Sequence, residues 1–227
     1  MATPNKITAK ALLIDLDGTL INPTQALLEA AAAGFIAIGA TACDRVIGVE
    51  IARRMEQNQP VHDLFSPELR KPQVIKKFLR AYIDAYYVAT INKATPIPNV
   101  YKTLQTLSQV MPLALVTLRS IPKKQITKEL QKLKLLPYFQ TVITTMDVKN
   151  PKPFPDAVVK AAQQLGVSAH HCAIVGDSII DIQAGKAAIA KTIAVLTGLY
   201  TQQELEKENP DLIIPDINHL PQHLMSA

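Results

Sequence analysis

The sequence predicts an α/β protein: a doubly wound, mostly parallel sheet with an inserted all-helical domain. Three observations carry this. Short runs that are apolar at every position recur along the chain, as strands buried on both faces do. Amphipathic stretches of roughly ten residues alternate with them, which implies crossover units and a parallel sheet. From about Ile21 to Lys93 the alternation stops and helix follows helix.

The elements follow in order. Ala11-Leu12-Leu13-Ile14 is the first strand, and Asp15-Leu16-Asp17-Gly18-Thr19 follows it directly. Helices are expected over Thr24 to Ile38, Asp44 to Gln57 and Pro72 to Ile91, punctuated by Asn58-Gln59-Pro60 and Ser66-Pro67. The apolar stretch Ala26 to Ala40 reads as a buried helix, since it is shorter than the roughly 18 residues of a membrane span. Thr95-Pro96-Ile97-Pro98-Asn99 returns the chain to the core. This places residues 1–20 and 94–227 in the core and 21–93 in the insert.

Four further strands are expected at Leu113 to Val116, Thr141 to Ile143, Ala173 to Val175 and Thr192 to Val195, with a weaker one at Leu212 to Ile214. Helical patterns occupy Val100 to Gln109, Lys123 to Leu136, Phe154 to Leu165 and Asp181 to Ala190. Right-handed crossovers then put helices on both faces of the sheet.

Bulk composition excludes several classes. With 48% apolar and 19% charged residues, the chain is an ordinary globule rather than a disordered one. Met1 to Lys10 lacks the apolar core of a secretory signal. Cys43 and Cys172 lie in no metal-ligand or redox spacing and read as buried thiols, which suits the cytoplasm. The net charge of +5 favours anionic substrates. Its basic residues are scattered and aromatics are only 5%, so neither nucleic acid nor membrane is expected as a partner.

In open parallel sheets, ligands sit beyond the carboxyl ends of the strands, and the reactive side chains gather there. Asp15 and Asp17 follow the first strand, two positions apart, which on an extended chain sends both side chains the same way. Gly18 permits a sharp turn and Thr19 can tie the loop down. Thr117, Leu118, Arg119 and Ser120 follow the second strand, and Lys149-Asn150-Pro151-Lys152-Pro153-Phe154-Pro155 the third. The fourth ends in Gly176-Asp177-Ser178, with Asp181 one helical turn on. Four carboxylates, one hydroxyl and one lysine thus converge. Mg²⁺ would resolve their repulsion, because it prefers a few carboxylates, water and a phosphate. Lys152 can meet a phosphate oxygen, with Lys149 as its rival. His170-His171 invites a metal reading too, but adjacent side chains are expected to point apart, in a loop away from these ends.

Asp15-Leu16-Asp17-Gly18-Thr19, Thr117, Lys152-Pro153-Phe154-Pro155 and Gly176-Asp177-Ser178-Ile179-Ile180-Asp181 resemble the four motifs of the haloacid dehalogenase (HAD) superfamily, in the right order. The resemblance spans nearly the whole chain and implies a Rossmann-like core with a helical cap. It implies that Asp15 is the nucleophile of phosphoryl transfer and Asp17 the general acid and base. It implies that Thr117, with Gly18 and Leu118 beside it, holds the transferring oxygens, and that Lys152 offsets their charge. It also implies Mg²⁺ on Asp15, Asp177 and the Asp17 carbonyl, with Asp181 either reaching the metal or orienting Lys152. Dehalogenating members lack the second aspartate, so a phosphatase is expected.

Val195-Leu196-Thr197-Gly198-Leu199-Tyr200, Glu204-Leu205 and Pro210 to Ile214 are similar to the tail of phosphoglycolate-phosphatase-type members. The expected substrate is a small phosphorylated metabolite, handled by a monomer or homodimer. Substrate choice is expected from residues 42 to 56, with Arg45 and Glu50, near Gly48, as contacts. A phosphosugar mutase of the β-phosphoglucomutase type and a non-catalytic binding protein on this fold are the alternatives. Two departures stand out. Ile189 occupies the place where such members have a helix-ending Gly. Arg119 replaces a small or polar residue, and either reaches the substrate or is solvated.

Overall fold

The computed structural model describes residues 6–40 and 45–226; Cys43 and Asp44 lie outside them. Six strands form one parallel sheet: β1 (Ala11–Ile14), β2 (Leu113–Val116), β3 (Thr141–Ile143), β4 (Cys172–Gly176), β5 (Lys191–Val195) and β6 (Leu212–Ile214). Their order is β3-β2-β1-β4-β5-β6. Every residue of β1, β2 and β4 is buried, so their continuous apolar runs are what a sheet covered on both faces requires. The exposure of β6 alternates instead, as suits an edge strand. In register, Leu12 lies between Leu113 and Ala173. Each fully buried Leu or Ile in these strands is worth about 1.5–3 kcal/mol of transfer free energy.

Five helices belong to the same unit. They lie at Val100–Val110, Lys123–Lys132, Asp156–Gln164, Ile179–Ala187 and Gln202–Lys207. The second stops short of Leu136, where its apolar periodicity runs out. Lys134 takes the left-handed conformation (φ 57°), and Pro137 disfavours helix at the residue before it. The resulting break leaves Leu136–Tyr138 as a separate 3₁₀ turn. Outside the main sheet, Ile7–Ala9 pairs in parallel with Leu224–Ser226.

The helix Ile179–Ala187 ends on a Schellman motif. Ala190 N–H donates to Gly185 O and Ile189 N–H to Lys186 O, both at 2.9 Å. The residue between, Ile189, has φ 59° and is 78% exposed. The helix end therefore keeps the left-handed geometry usual for glycine although a β-branched residue occupies it.

The chain divides into two compact units, residues 1–22 with 96–227 and residues 23–95. Among its described residues the smaller is mainly helical, with helices at Thr24–Ala37, Arg45–Glu56 and Pro72–Lys93, and it ends at Thr95 in a short strand. The first of these buries Ala26, Ala30, Ala31, Gly34 and Phe35 but leaves Ile36 72% exposed. Its apolar composition thus covers one face, and the helix is not buried all round. Phe35, Phe65 and Phe78 pack with ring centroids 4.8–5.4 Å apart. Gly34 lets the Phe78 ring approach, since a Cβ there would lie 2.5 Å from it. Among the described residues, no helix is long and apolar enough to cross a membrane.

Candidate active site

The strand order reverses direction between β1 and β4, the switch point at which an open α/β sheet leaves a crevice beyond its carboxyl ends. Asp15 follows β1, Thr117 follows β2 and Asp177 follows β4. All three are buried, as is Lys152 from the loop beyond β3. Asp15 is held by its backbone N–H, which donates to Val175 O at 2.9 Å. Lys152 Nζ donates to Asp15 Oδ1 (2.7 Å), Asp181 Oδ1 (2.5 Å) and Val116 O (3.2 Å). The other oxygen of Asp181 accepts from the Ser178 hydroxyl (2.9 Å) and N–H (3.3 Å), which ties it to the helix start. Lys149 is exposed, so the buried ammonium of the site is that of Lys152.

Burial pushes the Asp15 carboxyl up to about 8, against the pull of Lys152 and with a contribution from Asp181. Burial alone would lower the Lys152 ammonium, but Asp15 and Asp181 together raise it above its ordinary value. Lys152 therefore stays charged.

Oxygens of Asp15, Asp177 and Asp181 lie within 4.8 Å of one another, all three side chains buried. Three buried carboxyl groups face the single Lys152 ammonium, and the donors are hard oxygens. That donor set fits a hard divalent cation, whose charge would favour the ionised form of all three. Asp177 is placed tightly. Thr19 Oγ donates to its Oδ1 at 3.0 Å. A Cβ at Gly18 or Gly198 would lie 2.3 or 1.7 Å from its Oδ2. Thr197 Oγ donates to Gly18 O, joining the loop after β5 to the loop after β1.

Asp17 is set apart from this cluster. Although two residues from Asp15, its carboxylate accepts from Arg119 Nη2 at 2.7 Å and Nε at 2.8 Å. The same guanidinium donates through Nη1 to Glu129. Arg119 is 3% exposed, so it is not solvated, and its side chain is engaged by two carboxylates. Thr117 Oγ accepts from Arg119 N–H at 3.3 Å. It caps no helix, since the next one begins at Lys123. Leu118 is half-buried beside it.

In the helical unit, Arg45 is exposed at the start of its helix. Glu50 is taken by Arg54 Nε of the same helix at 2.8 Å. His170 and His171 do not point apart. Their ring centroids are 4.0 Å from each other, because a 3₁₀ turn (Ala169–His171) replaces the extended chain that alternation assumes. That turn precedes β4 and so lies at the end of the strand away from Asp177.

Sequence reasoning missed Glu129, Thr19 as a ligand of Asp177, and Gly198. For Glu129 a signal existed. It falls three residues after Ile126 and four before Leu133, on the apolar side of its helix. For Thr19 and Gly198 no local signal shows that the chain folds them onto Asp177.

Comparison with known proteins identifies the family and the fold. A phosphoglycolate phosphatase of Shigella boydii is 29% identical over 230 aligned residues, covering 93% of this chain and 90% of that protein. A pyrophosphatase of Oceanobacillus iheyensis is 30% identical over 217, covering 94% and 96%. The solved structure of a haloacid dehalogenase-like hydrolase from Streptococcus pneumoniae has the same fold, with a TM-score of 0.78 at 21% identity, over 94% of this chain and 97% of that one. The profile of the haloacid dehalogenase-like hydrolases matches residues 12–195, from β1 to the end of β5. With its aspartates and lysine at those strand ends, this chain belongs to the haloacid dehalogenase-like hydrolase family.

Proposed function

We propose that the protein is a Mg²⁺-dependent phosphatase that hydrolyses a small phosphate monoester through an aspartyl-phosphate on Asp15. The observation that carries this is the buried Asp15 carboxylate, with one oxygen on the Lys152 ammonium and the Asp177 and Asp181 carboxylates beside it. The names of the relatives from Shigella boydii and Oceanobacillus iheyensis point to phosphoglycolate or a phosphoanhydride as the class to try first.

Asp15 attacks phosphorus in line with the departing oxygen. Asp17 gives that oxygen a proton, then takes one from the water that splits the aspartyl-phosphate. Lys152 neutralises charge on the nucleophile and on the incoming phosphoryl group. Asp181 fixes the Lys152 ammonium from its other side. Gly18, Thr117 and Leu118 are assigned to the transferring oxygens. Asp15, Asp177 and the Asp17 carbonyl would hold Mg²⁺, with Asp181 close enough to join them. The metal supplies charge screening between the anionic nucleophile and the anionic substrate. The insert at residues 23–95, with Arg45, is assigned the choice of leaving group.

The test is a screen of phosphoglycolate, pyrophosphate, sugar phosphates and acetyl phosphate with Mg²⁺, reading released phosphate. We expect turnover by the wild type, loss with a chelator, and loss of at least about 10³-fold in Asp15→Asn, whose amide cannot attack. Near wild-type release from Asp15→Asn rules the proposal out. Isomerisation of a sugar phosphate without phosphate release identifies a mutase instead.

A further inference from the structure

Two buried cations take four of the acidic groups around the site, two each. Lys152 takes Asp15 and Asp181. Arg119 takes Asp17 and Glu129. The second set is built as carefully as the first. The Arg119 side chain and the Glu129 side chain are each 3% exposed. The Arg119 backbone is pinned on both sides: its N–H donates to Thr117 Oγ, and its carbonyl accepts from the N–H and hydroxyl of Thr145, each at 3.4 Å. The guanidinium meets Asp17 edge-on through Nε and Nη2, the bidentate fork that fixes a carboxylate in plane as well as in place. Glu129 then holds the remaining edge through Nη1.

The Glu129 carboxylate is otherwise poorly provided for. Its Oε1 is buried with no hydrogen-bond partner, and burial raises its carboxyl above the ordinary value despite Arg119. A buried carboxylate left in this state costs stability. What the arrangement achieves is the orientation of one guanidinium, and through it of Asp17. Asp17 is two residues beyond Asp15, but the backbone bends at Leu16 between them, so strand alternation does not fix where its carboxylate points. Arg119 fixes it, outside the oxygens that Asp15, Asp177 and Asp181 bring within 4.8 Å of one another.

We propose that Arg119, anchored by Glu129, is a positioning residue for proton transfer, holding the Asp17 carboxylate in the orientation from which it serves the leaving oxygen and the hydrolytic water. This rests on the roles proposed above for Asp15 and Asp17. It also separates Arg119 from substrate binding, because its guanidinium edges are turned to Asp17 and Glu129.

A double-mutant cycle tests the inference, with phosphoglycolate, or the monoester turned over fastest in the screen above, and Mg²⁺ as the probe and released phosphate as the readout. An alkyl leaving oxygen needs the proton that Asp17 is assigned. Arg119→Ala should lower kcat about 10–100-fold, the effect expected of a misplaced catalytic group, while KM stays within about twofold. Asp17→Asn should lower kcat by about 10²–10⁴-fold. The double variant should be no slower than Asp17→Asn alone, within about twofold, because Arg119 acts only through Asp17.

If Arg119→Ala slows the Asp17→Asn enzyme by the same factor as the wild type, Arg119 has a general structural role and the inference is overturned. It is equally overturned if Arg119→Ala chiefly raises KM. Removing Arg119 leaves Glu129 buried without its cation, which is destabilising. Arg119→Met combined with Glu129→Leu therefore repeats the cycle in a neutral pair. Melting temperatures confirm that each variant is folded. A wild type that releases phosphate no faster than Asp15→Asn overturns the underlying reading and this one with it. An active wild type with an additive cycle overturns this one alone.

Discussion

Asp177 shows how closely one side chain in this site is confined. Its carboxylate accepts from Thr19 on one oxygen, and the backbone at Gly18 and Gly198 lies against the other. The two glycines are not equivalent. Gly18 has φ 86°, so a larger residue there is strained by conformation as well as by space. Gly198 has no such conformation and isolates the steric effect. Gly198→Ala puts a methyl 1.7 Å from Asp177 Oδ2, so the carboxylate must turn away. If Asp177 is a metal ligand, displacing it should weaken Mg²⁺ binding about 10–100-fold, the range seen when a ligand's supporting contacts are lost. Titration calorimetry with Mg²⁺ measures this directly. Unchanged affinity in a variant with wild-type melting would remove Asp177 from the ligand set.

At the scale of the element, the helix Ile179–Ala187 has opposing ends. Its start is over-determined. Ser178 is the N-cap, and its N–H and hydroxyl both donate to Asp181, which in turn receives Lys152. A helix start stapled in this way holds Asp177 and Asp181 at fixed separation, which is what a cluster of like charges needs. Its far end carries a left-handed isoleucine that is exposed and buries nothing in return. Ile189→Gly keeps both Schellman hydrogen bonds and relieves the contact of Cβ with the neighbouring carbonyl. The variant should be about 1 kcal/mol more stable, raising Tm by about 2–4 °C for a chain of this size. Differential scanning calorimetry checks it. A lower Tm would show that the isoleucine contributes packing not evident at 78% exposure.

The whole molecule has two units with separate cores. One is built on the sheet, around Leu13, Val116, Ile143, Val158 and Ile174. The other is the aromatic cluster of Phe35, Phe65, Phe78 and Tyr82. The candidate-site groups Asp15, Asp17, Thr117, Lys152, Asp177 and Asp181 all belong to the sheet unit. Two linkers run side by side where the chain leaves and re-enters it, since Ile97 N–H donates to Leu20 O at 2.9 Å. Phe78 is fully buried and meets Phe35 and Phe65 edge-on. Phe78→Ala should cost the helical unit about 3–5 kcal/mol. Because that core is its own, calorimetry should show one transition moving down while the other stays, and Mg²⁺ should still raise the unmoved one. A single transition that shifts as a whole would show that the two units melt as one.

The strand runs and the four motifs were legible in the sequence because both are local. A strand covered on both faces must be apolar at each position, and the groups that do chemistry must follow it directly. Asp15, Thr117 and Asp177 are each the residue next to a strand end, so finding the strand finds the side chain. The left-handed cap was foreseeable as a position, but that an isoleucine would adopt it was not. There the pull of the hydrogen-bonded helix end outweighs the local preference of the residue. What only the tertiary structure decided are the pairings across long stretches of chain. Lys152 bridges Asp15 and Asp181 across 137 and 29 residues, and Thr19 reaches Asp177 across 158. Arg119 reaches Asp17 across 102 and leaves Glu129 buried rather than solvated. A sequence pattern tells which residue types are available. Which carboxylate each cation takes depends on how closely the folded strands bring them, and on burial, which makes an unpaired charge too costly to leave.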